Sequence, residues 1–118
     1  IEKRGKCMKQ QSLLELQNKV DAYINQFEEG YFPPFEMLAR LSEEVGELSR
    51  EVQHIYGYAK KKHVDNNNME KELGDILFTI ICFANAHKIE LEDALLQVLR
   101  KFETRDKDRW TRKEENDD

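Results

Sequence analysis

Two short acidic stretches decide how this sequence folds: Ser-Glu-Glu-Val-Gly-Glu-Leu at residues 42–48 and Lys-Glu-Leu-Gly-Asp-Ile at residues 71–76. Each stretch carries two acidic residues three positions apart, with apolar residues beside them. Residues at this spacing lie on one face of an α-helix. The pattern therefore predicts two helices, each with a pair of carboxylates along the edge of its apolar stripe.

Working outward from these stretches, hydrophobic periodicity predicts four helices. The first begins near Ser12, where Glu15 completes a capping box, and ends before Gly30. The other three are predicted over residues 35–56, 69–87 and 91–104, with Gly57 ending the second and a basic, Asn-rich loop following it. We expect an all-α bundle of four main helices over residues 12–110, after a charged leader at 1–11 and before an acidic, frayed tail at 111–118.

The third predicted helix differs from the others because residues 73–86 are apolar almost all round. Such a helix must be covered on several sides, and a four-helix monomer of this size covers it poorly. We therefore expect a dimer or a dimer of dimers.

The length and charge of the chain restrict the classes of function that it can have. The 118 residues suffice for one domain, and the formal net charge of −5 argues against general nucleic-acid binding, which needs a surplus of cations. No stretch is apolar and long enough to span a membrane, and the leader lacks the apolar segment of a secretory signal. Cys7 and Cys82 lie in such different contexts that a disulfide is not expected, so we predict a cytoplasmic protein.

If the second and third helices pack stripe against stripe, their carboxylates meet at the bundle edge. Such a group of like charges is unfavourable without a cation, and an all-oxygen ligand set suits Mg²⁺, Mn²⁺ or Ca²⁺ rather than zinc. A glycine lies inside each acidic pair, Gly46 and Gly74, at a cost of about 1 kcal/mol relative to alanine. Close backbone approach between the two helices would explain this cost.

The residues alone leave several other functions and roles open. Either acidic pair alone is more often a solvated helix face, and a non-catalytic helical adaptor or nucleotide-binding regulatory protein would use the same surface to bind a partner. The sequence Glu51-Val52-Gln53-His54 has the E-x-x-H form of di-iron bundles, but a second copy is missing. Tyr31, Phe32, Phe35 and Trp110 either stack on a base or belong to the core.

The pattern E-E-x-x-E, a spacer of two dozen residues and then E-x-x-D resembles the MazG-type enzymes of the all-α NTP pyrophosphatase superfamily, over about residues 13–110. The resemblance implies four metal ligands, Glu44, Glu47, Glu72 and Asp75, with Mg²⁺ as cofactor and Mn²⁺ as a substitute. It also implies phosphate contacts from Lys101 and Arg105, and more weakly from Arg109. Without the resemblance, these cations are equally well a solvated helix end.

The activity implied is hydrolysis of a nucleoside or deoxynucleoside triphosphate to the monophosphate and pyrophosphate, a nucleotide-pool house-cleaning reaction. A free carboxylate would act as general base. Glu43 and Glu47 are the candidates, and the sequence does not choose between them.

Overall fold

The computed structural model describes residues 10–57 and 67–114, and within these ranges its regular elements are all α-helices. The helices are α1 (Leu13–Ile24), α2 (Pro34–Tyr56), α3 (Asn67–Ala86) and α4 (Leu91–Thr104). The predicted all-α class and the four helices are confirmed. Most of the leader, the loop with its three lysines and the end of the tail lie outside the described residues.

The first helix begins as predicted and ends earlier. The Ser12 hydroxyl accepts from the Glu15 backbone N–H at 3.1 Å, and the Glu15 carboxylate accepts from the Ser12 N–H at 2.9 Å. The helix ends at Ile24 with Asn25 as its C-cap, so the prediction that it continues until just before Gly30 is wrong. Phe27 follows the periodicity of the helix but lies in the turn after it, edge-on to the Tyr23 ring.

The main packing unit is the antiparallel pair of α2 and α3. Pro34 occupies the first turn of α2, where a missing backbone N–H costs nothing. Within the described ranges the buried apolar residues are few, namely Met37, Ile81, Cys82 and Ala84. This core is small because many large apolar side chains of the described residues remain exposed to solvent.

A network of polar side chains joins α1 to the turn between α3 and α4. The Gln17 amide, almost fully buried, donates to Asn85 Oδ1 and to the Ile89 carbonyl, both at 2.9 Å. Its oxygen accepts from the Leu91 backbone N–H at 2.8 Å. Asn85 also donates to the Tyr31 hydroxyl at 3.0 Å, and this hydroxyl donates to Asp21 at 2.6 Å. The network sets where α4 begins.

The fourth helix packs mainly on α1, through its first turn. Every residue from Leu95 to Arg105 is exposed, although the apolar side chains of this segment form a stripe. On α3, Leu73, Leu77 and Phe78 are between 40% and 51% exposed within one copy of the chain. The expected uncovered surface on α3 is therefore present, and the assembly that would cover it stays a prediction.

The proposed reason for the two mid-helix glycines is wrong for a single chain. Both Gly46 and Gly74 are exposed, and a Cβ built on either would meet nothing within 4 Å. They lie away from the contact between α2 and α3, so close approach of these two helices does not explain them. None of the described helices has the length and hydropathy that a membrane span requires.

Candidate active site

Packing of α2 on α3 brings three acidic side chains together. One carboxylate oxygen each from Glu44, Glu72 and Asp75, which we call the acidic cluster, lies within 4.8 Å of the others. All three side chains are half-buried. Glu44 lies on the side of α2 that faces α3, and Glu72 and Asp75 are one helical turn apart on α3. The predicted meeting of the two acidic stretches is thus confirmed for these three residues.

Glu47 and Glu43 lie at the outer side of the acidic cluster. Both are exposed. Glu47 is not among the three residues with mutually close oxygens, but its carboxyl group forms a hydrogen bond with Glu72. Glu43 lies close enough to Glu44 to act on it electrostatically. Both candidates for a general base therefore lie within reach of the acidic cluster, with Glu47 the nearer to Glu72.

Protonation in the acidic cluster is shifted toward the neutral form. Partial burial raises the pKa of the Glu44 carboxyl, and the negative charges of Glu47 and Asp75 raise it further, whereas Arg40 opposes the shift. The pKa of Glu72 is also raised, first by desolvation and then by its hydrogen bond with Glu47. These directions indicate a site with more negative charge than its own cations balance.

Two oxygens of the acidic cluster lack a hydrogen-bond partner in the part of the chain that the structure describes. Glu44 Oε2 and Glu72 Oε2 are buried and accept no hydrogen bond from the described residues. Buried polar atoms are normally paired, so these two indicate a missing donor or cation. The acidic cluster offers three carboxylate oxygens within 4.8 Å of one another, and hard divalent cations such as Mg²⁺ bind oxygen ligands of this kind. The residues present therefore fit a hard divalent cation.

A cavity of about 400 Å³ opens beside the acidic cluster. Glu44 and Asp75 form its acidic wall, and Tyr31 and Phe32 belong to the aromatic connection between α1 and α2. The remaining lining residues are Ile24, Gly30, Met37, Arg40, Phe78, Thr79 and Cys82. A largely apolar cavity with a few charged groups at one end is typical of a small-molecule site.

Sequence reasoning identified part of this cavity. Tyr31 and Phe32 line it, whereas Phe35 and Trp110 do not and are 86% and 75% exposed. Arg40, Phe78 and Thr79 were not predicted as site residues. The signal for Arg40 was its position one turn before Glu44, which places both on one face of α2. Phe78 and Thr79 looked like core residues, and only the packing shows which of them reaches the cavity.

The predicted phosphate-contacting residues lie elsewhere within this chain. Lys101 lies in a groove along α4 with Asp93 and with its Nζ 5.1 Å from the centre of the Phe102 ring. The Arg105 guanidinium is 3.4 Å from the Asp106 carboxylate, and Arg109 lies over the Trp110 ring. Because α4 packs mainly on α1, one copy of the chain does not bring these cations to the acidic cluster.

The di-iron interpretation finds no support among the described residues. The half-buried His54 is not part of the only metal-compatible group found there, and α3 supplies no second E-x-x-H sequence. Its Nδ1 is buried without a hydrogen-bond partner in the described ranges.

Cys82 is a free, buried thiol whose pKa is raised by desolvation, so it is a poor nucleophile.

Comparison with known proteins gives the class of protein. Residues 32–110 match the MazG nucleotide pyrophosphohydrolase domain, and the chain belongs to this family. It is therefore a hydrolase of the nucleotide pyrophosphohydrolase type. This assignment confirms the family resemblance and favours an enzyme over a helical adaptor.

Similar proteins cover nearly the whole chain. Protein YpjD of Bacillus subtilis is 55% identical over 109 residues, which cover 92% of this chain and 98% of YpjD. Its crystal structure matches with a TM-score of 0.77 at 50% identity, over 82% of this chain and 100% of that one. The crystal structure of a Bacillus-conserved MazG protein, a nucleotide pyrophosphohydrolase, matches with a TM-score of 0.73 at 51% identity, over 86% of this chain and 99% of the other.

Proposed function

We propose that this protein is a Mg²⁺-dependent nucleoside triphosphate pyrophosphohydrolase that releases a nucleoside monophosphate and pyrophosphate. The observation that carries the proposal is the acidic cluster, with two unpaired buried oxygens, at the end of a cavity with aromatic walls. The charged phosphates of a nucleotide need a metal site, and its apolar base needs a cavity. The two must lie next to each other. A cytoplasmic location and a role in removing unwanted nucleotides belong to the same proposal.

Glu44, Glu72 and Asp75 would hold the metal, and Glu47 would complete the set from the outer side. Mg²⁺ is the expected ion because it binds few carboxylates and keeps positions for water and phosphate, and Mn²⁺ would substitute. When bound, the ion supplies positive charge next to the phosphates and lowers the pKa of a water molecule. A carboxylate oxygen that does not contact the metal would accept the proton from this water. Glu43 and Glu47 are the candidates.

The cavity would hold the nucleoside. Its volume of about 400 Å³ leaves room for a base with its sugar, and Tyr31, Phe32 and Phe78 offer ring faces or edges for stacking. Arg40, which lines the same cavity one turn before Glu44, would contact the phosphate nearest the sugar. Lys101 and Arg105, with Arg109 as a weaker candidate, would neutralise charge on the β- and γ-phosphates.

Glu47→Gln tests the reaction, because it preserves the shape of the side chain and removes one negative charge from the site. We expect a loss of turnover of about 100- to 1,000-fold, the usual effect of removing one positioned electrostatic group. The matched control is Glu36→Gln, on the exposed first turn of the same helix, which should keep wild-type turnover. Glu43→Gln compares the second candidate base.

Product analysis tests the bond that is cleaved. Hydrolysis in ¹⁸O-labelled water should give pyrophosphate and monophosphate, with the label in the monophosphate if water attacks the α-phosphorus. Orthophosphate and a diphosphate as first products would contradict the proposal. A panel of normal and damaged nucleotides, scored by pyrophosphate release, would then identify the preferred base and sugar.

A further inference from the structure

One wall of the cavity is a tyrosine whose hydroxyl is bonded on both sides. The Tyr31 hydroxyl donates to Asp21 Oδ1 at 2.6 Å and accepts from Asn85 Nδ2 at 3.0 Å. The first bond has a carboxylate as its acceptor, and such charge-assisted bonds are the stronger ones. Asp21 and Asn85, which we call the anchor residues, are half-buried and are not among the described residues that line the cavity. They therefore contact a wall of the cavity without lining it themselves.

The anchor residues are in turn held by other side chains. Asp21 Oδ2 accepts from the Asn25 amide at 3.1 Å. The Asn85 side chain forms two bonds with Gln17, one with its carbonyl and one with its amide, both at 2.9 Å. Because Asp21 belongs to α1 and Asn85 to α3, the Tyr31 hydroxyl is bonded to two helices. A polar network in which the members satisfy one another restricts the motion of each side chain.

The backbone before Tyr31 also contributes to its position. Gly30 lines the same cavity and has a φ of +61°, in the left-handed region that residues with a side chain rarely adopt. A Cβ built on Gly30 would meet nothing within 4 Å, so the glycine is needed for the turn of the backbone and not for close packing. This turn leads the chain from α1 into the connection that carries Tyr31 and Phe32.

The hydroxyl proton of Tyr31 is not available to a ligand. Burial, followed by the hydrogen bond to Asp21, raises the pKa of Tyr31 to about 12, so the phenol is neutral near pH 7. A phenol has one proton to donate, and here Asp21 accepts it. The ring therefore offers a ligand its apolar face or edge. What the network fixes is the position of this ring surface.

We infer that Tyr31 is a preformed wall for the nucleoside and that the anchor residues set the affinity for the nucleoside without touching it. The inference rests on the proposed function, because it places the nucleoside in this cavity. Asp21 and Asn85 are positioning residues in this arrangement. A ring that is already fixed need not be ordered when the ligand binds, and ordering one side chain lowers affinity by about 2- to 10-fold. The phosphates, at the acidic cluster, should not depend on the anchor residues.

Tyr31→Phe tests the inference because it keeps the ring and removes both hydrogen bonds. We expect the KM of a nucleoside triphosphate to rise by about 2- to 10-fold, with a smaller change in kcat. The inhibition constant of pyrophosphate, measured with Mg²⁺ in the same assay, should stay at the wild-type value because pyrophosphate carries no nucleoside. Tyr23→Phe is the matched control. It removes the hydroxyl of a tyrosine on α1 that is 53% exposed and does not line the cavity, and it should keep the wild-type KM.

Asp21 is the second test, because this residue acts from outside the cavity. Asp21→Ala leaves every lining residue in place and removes the acceptor of the Tyr31 hydroxyl, so it should raise KM as Tyr31→Phe does. Asp21→Asn keeps an oxygen that accepts this bond and should restore most of the wild-type KM. The double variant, Tyr31→Phe with Asp21→Ala, should be no weaker than the weaker single variant, because both changes remove the same bond.

The outcomes separate this inference from the proposed function. If the wild type hydrolyses triphosphate and both Tyr31→Phe and Asp21→Ala keep its KM, the inference is overturned and the proposed function stands. An inhibition constant for pyrophosphate that rises together with KM would also overturn the inference, since the anchor residues would then support the whole site. If the wild type hydrolyses no triphosphate, the proposed function fails, and calorimetry with a nucleoside monophosphate decides the inference. Weaker binding in both variants would support it, and equal or absent binding would overturn it.

Discussion

Replacing Gln17 by alanine should destabilise the protein more than any surface change on α1, because this side chain connects three elements. Gln17 is 4% exposed and takes part in three hydrogen bonds, with the Asn85 side chain, the Ile89 carbonyl and the Leu91 N–H. A net hydrogen bond is worth about 0.5–1.5 kcal/mol, so the three together contribute about 3 kcal/mol. For a domain of this size, such a loss corresponds to a decrease in Tm of about 10 °C.

The measurement is urea denaturation followed by circular dichroism, at one fixed protein concentration because association would add to the apparent stability. Gln26→Ala is the control. Its amide donates to the Tyr23 carbonyl at an exposed helix end, and its loss should change the free energy of unfolding by less than about 0.5 kcal/mol. If Gln17→Ala and Gln26→Ala unfold at the same urea concentration, the network does not stabilise the turn before α4, and the reasoning is refuted.

Three further predictions concern the ion, the phosphates and the pH. Mg²⁺ at 100 times its dissociation constant should stabilise the wild type by about 2.7 kcal/mol, and Asp75→Asn should lose most of this gain in thermal melts; equal gains would place the ion elsewhere. Lys101→Ala and Arg105→Ala should lower triphosphate turnover while the Mg²⁺-dependent shift in Tm persists. Wild-type kinetics in both variants would show that the two residues only cap the end of the helix. Burial, followed by the hydrogen bond to Asp21, raises the pKa of Tyr31 to about 12. The neutral phenol is thus favoured in the folded state. Its contribution to the free energy of unfolding is therefore present below pH 10 and is lost as the pH rises from 10 to 12. The urea midpoint should fall less steeply across that window in Tyr31→Phe, and parallel curves would contradict the assignment.

The acidic cluster was predictable because it depends on local geometry. Two acidic residues three positions apart share one helix face, and the apolar residues beside them fix which face is turned toward the partner helix. The capping box at Ser12 and Glu15 was predictable for the same reason, since its two hydrogen bonds join residues three apart. By contrast, the periodicity that includes Phe27 continues past the end of α1. The turn in which Phe27 lies is stabilised by contacts that hydrophobic periodicity does not predict.

The cavity and the position of α4 could not be predicted from the sequence. Phe78 and Thr79 belong to a helix that is apolar almost all round, so their periodicity does not show which side chain reaches the cavity. The reason for Gly46 and Gly74 was predicted wrongly, because a glycine in a sequence indicates that a backbone is accessible but not which surface approaches it.

The sequence by itself determined the four helices, the family and the two acidic stretches, because helical spacing and the order of acidic residues are properties of neighbours along the chain. Only the tertiary structure decided that Glu44, Glu72 and Asp75 converge beside a cavity and that α4 packs on α1, away from these three residues. The physical reason is the Gln17 network, in which one buried amide satisfies backbone groups on both sides of the turn before α4. Residues 17 and 91 are far apart in the sequence, and no periodicity connects them.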